Sequence, residues 1–454
     1  MSETAAEIGA LLIEARRLAE AGDDAAAKEA YLQILRRDPA QFDALNELGT
    51  LAYESGHRSA ARTAYEQAVR CHPGKPIARV NLGNLLIEAG EFEAARAEFA
   101  AALAIDPDFA AAHQGLARAL TELGEDAAAA PHFAKGFAGR AVVTRRPRGA
   151  SPGLPLLLLV SAKGGNIPTE HWLDPRRFAI TAVYAEFFDP AQPLPPHDIL
   201  FNAIGDADRC GEALAHAEAI ARRSAAPVIN PPAAVSSTGR AATARRLANI
   251  PGLVVPAVES LSRPALLATT HFGFPLLLRA PGFHTGRHFV KVERREALAA
   301  ALAGLPGEEI LAIEYLDARG ADGLARKYRV MMIDGALYPL HLAVSADWKV
   351  HYFTADMAAS AAHRAEERRF LEDMPAVLGD RALAALRRVS QALGLDYAGI
   401  DFALAADGRV LLFEANAAMV VNPPDPDPVW DYRRPAVERV LDAATQMVRG
   451  RAAR

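Results

Sequence analysis

Small, aromatic and proline residues recur at an interval of 34 positions through the first third of the chain. The recurring positions are Ala27, Ala61, Ala95 and Ala129; Tyr31, Tyr65, Phe99 and Phe133; Pro39, Pro73 and Pro107; and Gly49 and Gly83. Small residues let two helices approach closely, an aromatic side chain fills the gap between them, and a proline ends the second helix. The period therefore predicts a stack of helix pairs.

This period and residue pattern resemble those of tetratricopeptide repeats. Four repeats are visible over residues 8–137, which predicts an all-α repeat domain over residues 1–139. Such an array offers a concave surface that implies a peptide or protein segment as partner. The alternative is a packing or oligomerisation module without a ligand groove. Residues 140–153 are rich in arginine and lack a helical period, so we predict a linker there.

The composition limits the classes of function for the whole chain. Its 454 residues are enough for two or three domains, and a net charge of −5 argues against a general nucleic-acid or membrane partner. Only two cysteines occur, Cys71 and Cys210, which fits a reducing compartment. The acidic N-terminus lacks a signal-peptide core, and the longest dense apolar run, residues 154–160, is far too short to span a bilayer. We therefore expect a cytoplasmic protein.

Strand and helix signals alternate after the linker. Residues 154–160, 199–204 and 228–229 have the apolar character of buried strands, and residues 213–223 have that of a helix. This alternation predicts a parallel α/β sheet over residues 154–235.

A hairpin near the C-terminus carries the strongest functional signal. Asp407-Gly408 separates two apolar runs, which favours a two-residue turn. With that turn, Asp401 lies opposite Glu414, and Asn416 shares the face of Glu414. Opposed carboxylates repel each other, whereas a hard divalent cation removes the repulsion and accepts an asparagine carbonyl as third ligand. The sequence thus predicts a magnesium site; the alternative is that both carboxylates face solvent.

These three side chains resemble the metal-binding end of the ATP-grasp family. In that family an Asp on one strand and Glu-x-Asn on the next hold the magnesium ions that bridge the ATP phosphates, so the resemblance implies ATP and Mg²⁺ as cofactors. It also implies a small α/β pre-ATP-grasp domain over residues 154–235 and an α+β ATP-grasp domain over residues 236–450. The predicted fold class is therefore multidomain, with the all-α repeats followed by these two domains.

The resemblance further implies a set of ATP-contacting residues. This chain has arginines at positions where many members of the family have nucleotide-contacting lysines. In the family, a glycine-rich loop offers backbone amides to phosphate. The backbone after a hinge strand forms hydrogen bonds with the adenine edge, and a nearby acid binds the ribose hydroxyls. An arginine is bulkier and forked, so the phosphate geometry is not the standard one. The set is Arg240, Arg279, Gly282, Thr285, Gly286, Glu314, Tyr315, Leu316, and either Asp317 or Asp322.

Two further groups concern the reaction itself. Arg329 resembles the strand arginine that faces the transferred phosphate, and its alternative is a plain surface strand residue. Residues 341–353 have the character of an unusual loop, and we expect His341, Trp348, Lys349 and His351 to form a wall for the acceptor substrate. The alternative is partly buried, hydrogen-bonded histidines; a third ligand at zinc spacing is missing, so zinc is not expected.

The implied activity is ATP-dependent ligation of a small-molecule carboxylate and an amine. The carboxylate attacks the γ-phosphate and becomes an acyl phosphate, which the amine captures as an amide. Magnesium neutralises the phosphates, while Arg279 and Arg329 stabilise the negative charge that develops during phosphoryl transfer. Two alternatives stay open: an ATP-grasp kinase that phosphorylates a small molecule, and a non-catalytic nucleotide-binding adaptor. The adaptor is supported by the arginines at 240 and 279.

Overall fold

The protein is represented by a computed structural model, which describes residues 3–145, 152–281, 286–350, 352 and 355–452. The chain divides into two compact units, Met1–Leu154 with Pro175–Asp189 and Pro155–Asp174 with Pro190–Arg454. An N-terminal all-helical region is followed by a mixed α/β region with several sheets. None of the described helices is both long and apolar enough to cross a membrane.

Paired helices build most of the first unit. They are α1 (Glu3–Ala21), α2 (Asp24–Arg37), α3 (Phe42–Glu54), α4 (Arg58–Cys71), α5 (Pro76–Glu88), α6 (Phe92–Ile105), α7 (Ala110–Leu123) and α8 (Asp126–Phe137). The tight turn inside each pair carries a glycine with positive φ, namely Gly22, Gly56, Gly90 and Gly124. A positive φ suits a residue without Cβ, so these glycines repeat with the same period as the helices.

Buried aromatic rings hold neighbouring helix pairs together. Phe99 of α6 is fully buried, and its ring lies against Gly83 of α5 and Gly115 of α7. A Cβ placed on Gly83 would come within 2.7 Å of that ring, and one on Gly115 would come closer still. Tyr65 packs in the same way on Gly49, where an added Cβ would lie 2.6 Å from the ring. The expected pairing of small and aromatic residues is therefore confirmed.

The first unit also contains an antiparallel strand pair, β1 (Val142–Thr144) with β3 (Phe178–Tyr184). Strand β1 lies inside residues 140–153, where the sequence predicts only a linker. Three consecutive β-branched residues, Val-Val-Thr, favour the extended backbone and account for this difference. The following residues 146–151 lie outside the described part of the chain.

The second unit begins with a parallel sheet. Strands β2 (Leu154–Val160), β4 (Ile199–Asn202) and β5 (Val228–Ile229) are paired in parallel, with helices α9 (Gly211–Ala221) and α10 (Pro232–Ser236) following β4 and β5. This matches the predicted alternation of strands and helices. Loops after parallel strands gather at one edge of the sheet, and the loop after β4 therefore lies at that edge.

An antiparallel sheet follows, with the strand order β7-β10-β8-β9. Its members are β7 (Val258–Ser262), β8 (Leu276–Arg279), β9 (Phe289–Val292) and β10 (Glu309–Glu314); α11 (Arg240–Leu247) and β6 (Leu253–Val254) precede them, and α12 (Arg263–Ala268) and α13 (Leu298–Ala303) lie between them in sequence. One face packs into a core that includes Leu276, Leu278 and Ile310 with Leu266 and Leu302 of these helices. The opposite face is only partly covered.

The last sheet has the order β12-β11-β13-β14-β6. It contains β11 (Ala325–Ile333), β12 (Ala336–Ser345), β13 (Tyr397–Leu404) and β14 (Val410–Asn416), and is accompanied by α14 (Ala361–Glu372), α15 (Met374–Leu393) and α16 (Arg434–Ala452). Asp334 and Gly335 both have positive φ and form a two-residue turn between β11 and β12. Residues 341–345, which we expected in a loop, instead continue β12 because they pair with β11 beyond a bulge.

The aromatic packing of the repeats gives a stability prediction. Replacing Gly115 by Ala pushes a methyl group into the Phe99 ring, so we expect the repeats to lose about 1–3 kcal/mol of stability. Gly9 is a helical glycine of α1 with no atom within 4 Å of an added Cβ, so Gly9→Ala should be neutral or stabilise by up to about 1 kcal/mol. Hydrogen exchange measured by mass spectrometry checks both variants, over α5–α7 for Gly115→Ala and over α1 for Gly9→Ala, and unchanged protection of α5–α7 in Gly115→Ala would contradict the packing.

Candidate functional site

Four ionisable side chains lie next to one another across neighbouring strands. The pairing places His341 of β12 opposite Arg329 of β11. It also places Arg329 opposite Asp401 of β13, and Asp401 opposite Glu414 of β14. Directly paired residues project from the same face of a sheet. These four residues therefore form one line, which we call the charged row.

Two β-bulges flank the charged row. The register shifts between Arg329 and Val330 on one side and between Asp401 and Phe402 on the other. Bulges re-aim side chains and are over-represented next to active sites. The hairpin between β13 and β14 also has a three-residue loop, because the Ala405 amide donates to the Arg409 carbonyl at 2.9 Å. The loop is one residue longer than predicted, and the bulge restores the predicted pairing of Asp401 with Glu414.

Asp401 is a buried carboxylate held by two cations. Its side chain is 4% exposed. Arg329 donates to both of its oxygens at 2.6 and 2.8 Å, and the Lys327 ammonium lies 3.1 Å away. Burial alone would raise the pKa of Asp401, but Arg329 and Lys327 lower it well below its usual range. Asp401 therefore does not face solvent, and Arg329 is largely buried, with 19% of its side chain exposed.

Glu414 meets a different arginine. Arg240, at the start of α11, lies 2.5 Å from its Oε1, and the Asn416 side-chain amide donates to the same oxygen at 2.8 Å. The Asn416 carbonyl oxygen accepts from the Ala418 amide at 2.9 Å. Burial raises the pKa of Glu414, and the charges of Arg240 and Arg279 more than offset this, so its pKa is lowered. The sequence predicts an ATP contact for Arg240, whereas here it neutralises Glu414.

The three predicted metal ligands carry donor atoms that suit magnesium, and each is in contact with another group of the chain. Carboxylate and amide oxygens are the donors that Mg²⁺ prefers, and Asp401, Glu414 and Asn416 lie together on one hairpin. Within the described residues, no group of three or more His, Cys, Asp or Glu side chains is arranged to hold a metal ion. An ion here would therefore rely on two carboxylates and an amide. Binding would also require the arginine and lysine contacts to be exchanged.

Arg279, at the end of β8, lies near Glu414 of the charged row, and Lys349, beyond the end of β12, lies near Arg279. Burial and repulsion from Arg240 lower the pKa of Arg279 to about 10. Burial and repulsion from Arg279 likewise lower the pKa of Lys349. In both cases burial is the larger cause and the neighbouring cation the smaller one, while Glu414, Asp206 and Asp208 act in the opposite direction on Arg279. Of the glycine-rich loop between β8 and β9, Gly286 contacts this region, because its carbonyl accepts a hydrogen bond from the Lys349 ammonium. Gly282 and Thr285 lie outside the described residues.

The predicted hinge lies at the far end of β10. Glu314 accepts from the Ala257 amide through its side chain and pairs with the same residue through its own amide, both at 2.9 Å. Tyr315 and Leu316 follow and are half-buried. Of the two candidate ribose acids, Asp317 is paired with Arg319 and Asp322 with Arg326. Hydrogen bonds from Arg326 lower the pKa of Asp322 to about 2.

The expected acceptor wall is only partly assembled from the predicted residues. His341 is buried, its Nδ1 has no hydrogen-bond partner within the described residues, and burial with the Arg329 charge lowers its pKa well below the usual value. Trp348 contacts Phe289 edge-on at 5.4 Å between ring centroids. His351 lies outside the described residues. Trp348 and Lys349 thus lie against the β8–β9 hairpin, whereas His341 belongs to the charged row.

Two residues of the site were missed by sequence reasoning. Lys327 lies two positions before Arg329 on the same strand, so strand periodicity would have placed both on one face. Asp208 lies in the loop after β4 and accepts from the Arg240 amide at 3.1 Å, and burial raises its pKa. The same loop approaches the end of β14 closely, since a Cβ on Gly205 would lie 2.9 Å from Cα of Ala418. The rule that ligands bind beyond the ends of parallel strands points to this loop.

Comparison with known proteins covers the helical region. Tetratricopeptide-repeat models match residues 14–76 and 46–108, and another matches residues 86–136. The N-terminal helices are tetratricopeptide repeats. Neither model extends beyond residue 136, so the ATP-grasp character of the second unit stays a prediction.

Solved structures resemble the chain only over part of its length. A crystal structure of MamA has 23% identity and a TM-score of 0.26 over 28% of this chain and 74% of that one. MamA from Desulfovibrio magneticus RS-1 has 23% identity and a TM-score of 0.27, covering 29% and 74%. An O-GlcNAc transferase mutant from Thermobaculum terrenum has 22% identity and a TM-score of 0.31, covering 50% and 51%. Among curated proteins, none matches this sequence.

The clamp on Asp401 gives a stability prediction. Arg329→Met leaves a buried carboxylate with one cation, so we expect the free energy of unfolding to fall by about 3–5 kcal/mol at neutral pH. The loss should shrink as pH falls through the raised pKa of Asp401 in this variant, because a protonated carboxyl needs no counter-charge. Adding Asp401→Asn should recover most of it. Arg319→Met, at an exposed ion pair, should change stability by no more than about 1 kcal/mol.

Tryptophan fluorescence during denaturant unfolding measures these differences. Trp172, Trp348 and Trp430 are the tryptophans of the sequence and all lie in the second unit, so the signal reports on that unit. Equal losses for Arg329→Met and Arg319→Met would contradict the clamp.

Proposed function

We propose that the second unit is an ATP-dependent carboxylate–amine ligase of the ATP-grasp type. The observation that carries the proposal is the charged row, which gathers two carboxylates, an arginine and a histidine between two bulges. Arg279 of the β7–β10–β8–β9 sheet lies close enough to lower the pKa of Glu414. Phosphoryl transfer needs mainly such positioning and charge stabilisation. A protein nucleophile is not required.

The cations would bind the phosphates of ATP. Burial lowers the pKa values of Arg279 and Lys349, and each also feels repulsion from a neighbouring cation; a polyphosphate would compensate both effects. The Gly286 segment lies beside Lys349, so loop amides would reach the same phosphates. The hinge at Glu314 to Leu316 would receive the adenine, with Asp317 or Asp322 near the ribose.

Asp401, Glu414 and Asn416 would hold Mg²⁺. When bound, the ion would supply Lewis-acid neutralisation of the phosphate oxygens. Arg240 would then leave Glu414 for a phosphate oxygen, and Arg329 would turn one edge of its guanidinium towards the transferred group. Arg329 would thereby stabilise the charge that develops during formation of the acyl phosphate.

The two substrates would meet beside the charged row. Lys327 and Arg329 carry one more positive charge than Asp401 neutralises, which suits a substrate carboxylate. His341 has a buried nitrogen without a hydrogen-bond partner in the described residues, which suits a polar group of the acceptor amine. Because burying a polar group without a partner is costly, a substrate hydrogen bond at this nitrogen would favour binding.

The repeats would recruit one of the reaction partners. Tetratricopeptide repeats form concave surfaces that bind extended segments, so we propose a peptide or protein segment as partner of the first unit. If this segment carried the carboxylate or the amine, the repeats would raise its local concentration at the ligase site.

The metal assignment gives a binding prediction. Glu414→Gln removes one anionic ligand while keeping the shape of the side chain, so we expect magnesium-dependent ATP affinity to fall by about tenfold or more. Asp407→Asn, in the exposed turn of the same hairpin, should leave that affinity unchanged. Calorimetric titration with ATP in the presence and absence of Mg²⁺ measures both variants. Equal magnesium dependence in Glu414→Gln and the unaltered chain would remove Glu414 from the metal site.

The reaction class is tested by product analysis. The full chain is incubated with MgATP, hydroxylamine and a panel of amino acids and dicarboxylic acids. A ligase should release ADP and phosphate and form a hydroxamate, because hydroxylamine captures acyl phosphates. ADP release with a phosphorylated hydroxyl compound, and no hydroxamate, would indicate a kinase. Tight MgATP binding without ADP release on any member of the panel would favour the non-catalytic adaptor.

A further inference from the structure

One face of the β7–β10–β8–β9 sheet is lined by residues at regular levels. Leu277 of β8 is paired with Lys291 of β9 and with Ile313 of β10. Arg279 is paired with Phe289, two residues nearer the glycine-rich loop. Residues two apart on a strand share a face, so Lys291 and Arg279 project from the same side. This side is half-buried, whereas the alternate residues Leu276 and Leu278 are in the core.

Lys291 is held against two aromatic rings on this face. Its ammonium lies 4.6 Å from the centroid of the Tyr315 ring and 5.8 Å from that of Trp348. The side chain is 14% exposed, and its ion-pair partner Glu293, at 2.9 Å, is largely exposed. A cation over aromatic faces is attracted by their quadrupoles by about 0.5–2 kcal/mol. That attraction is weak enough for a phosphate to replace it.

The spacing of these residues matches the length of a nucleotide. Arg279 and Lys291 lie at successive levels of the sheet, about 6.6 Å apart, and Tyr315, which follows the end of β10, lies beside Lys291 on the side away from Arg279. The Tyr315 level is the hinge, and the Arg279 level borders the glycine-rich loop. A group bound between them lies between the base and the terminal phosphates, which is where a nucleotide carries its α-phosphate.

We propose that Lys291 is a nucleotide-binding residue that contacts the α-phosphate. In the absence of nucleotide its ammonium lies over Tyr315 and Trp348, and on binding it moves from these rings to the phosphate. The inference rests on the proposed ATP site and adds a lysine to it from the returning strand of the hairpin. Arg279 is repelled by Arg240. The ammonium of Lys291 would share the negative charge of the phosphates with Arg279.

The test compares ligands that differ by single phosphates. Binding of adenosine, AMP, ADP and ATP to the full chain is measured by calorimetry for the unaltered protein, Lys291→Met, Lys291→Arg and Glu293→Gln. Methionine keeps an apolar stem over the rings while removing the charge. We expect Lys291→Met to weaken AMP, ADP and ATP alike by about tenfold, as for loss of one charge-assisted hydrogen bond, and adenosine by less than about twofold. Lys291→Arg should retain most of the affinity, and Glu293→Gln should retain all of it.

Tryptophan emission gives an independent readout. Departure of the ammonium from Trp348 should change the emission when AMP binds. This change should be absent in Trp348→Phe and in Lys291→Met, and the retained unfolding transition of each variant shows that it is folded.

The outcomes separate this inference from the proposed function. Equal weakening of adenosine and AMP by Lys291→Met would mean that Lys291 only packs against the rings, and would overturn the inference while leaving ATP binding intact. Undiminished affinity for all four ligands would do the same. Failure of the unaltered chain to bind either ATP or adenosine would overturn the proposed function and, with it, the inference.

Discussion

The buried carboxylate of Asp401 is the constraint on which the rest of the second unit's site depends. An isolated buried carboxylate is too costly to keep ionised, so Arg329 and Lys327 must lie where they do for β11 and β13 to pair at this level. Their positions in turn fix His341 and Glu414 as neighbours on the same face. The geometry of the charged row therefore follows from charge compensation as much as from backbone pairing.

Two partly buried cations, Arg279 and Lys349, lie close together on the other side of the site. Arg279 and Lys349 have lowered pKa values because burial and neighbouring cations oppose their protonated forms. A protein that holds repelling cations together gives up stability, and a bound anion restores it by favouring the folded state. The two halves of the site thus differ in character: Asp401 is paired directly with two cations, whereas Arg279 and Lys349 are the residues to which we assign the phosphates in the proposed function.

For the β13–β14 hairpin, the sequence predicted the pairing of residues across the two strands better than the length of the loop and the position of the bulge. Apolar alternation and Asp407-Gly408 placed Asp401 opposite Glu414, but the loop is one residue longer and a bulge next to Phe402 compensates. Local turn preferences cannot reveal a bulge, because its extra residue is stabilised by tertiary contacts. The 34-residue period could be recognised in the sequence because every repeat packs its helices through small and aromatic residues at the same positions. Lys291 was missed since its partners, Tyr315 and Trp348, come from other segments of the chain.

Exchange of counter-ions connects the ligand-free geometry with the proposed chemistry. Asp401 and Glu414 are paired with Arg329, Lys327 and Arg240, and a nucleotide arriving with Mg²⁺ brings both an anion for the cations and a cation for the carboxylates. Each buried charge would then change partner without becoming unpaired, which avoids the penalty of an uncompensated charge. ATP alone would draw the arginines away and leave the carboxylates without a cation. Mg²⁺ alone would occupy the carboxylates and leave the arginines without an anion. The proposed site would therefore couple the binding of nucleotide to the binding of Mg²⁺.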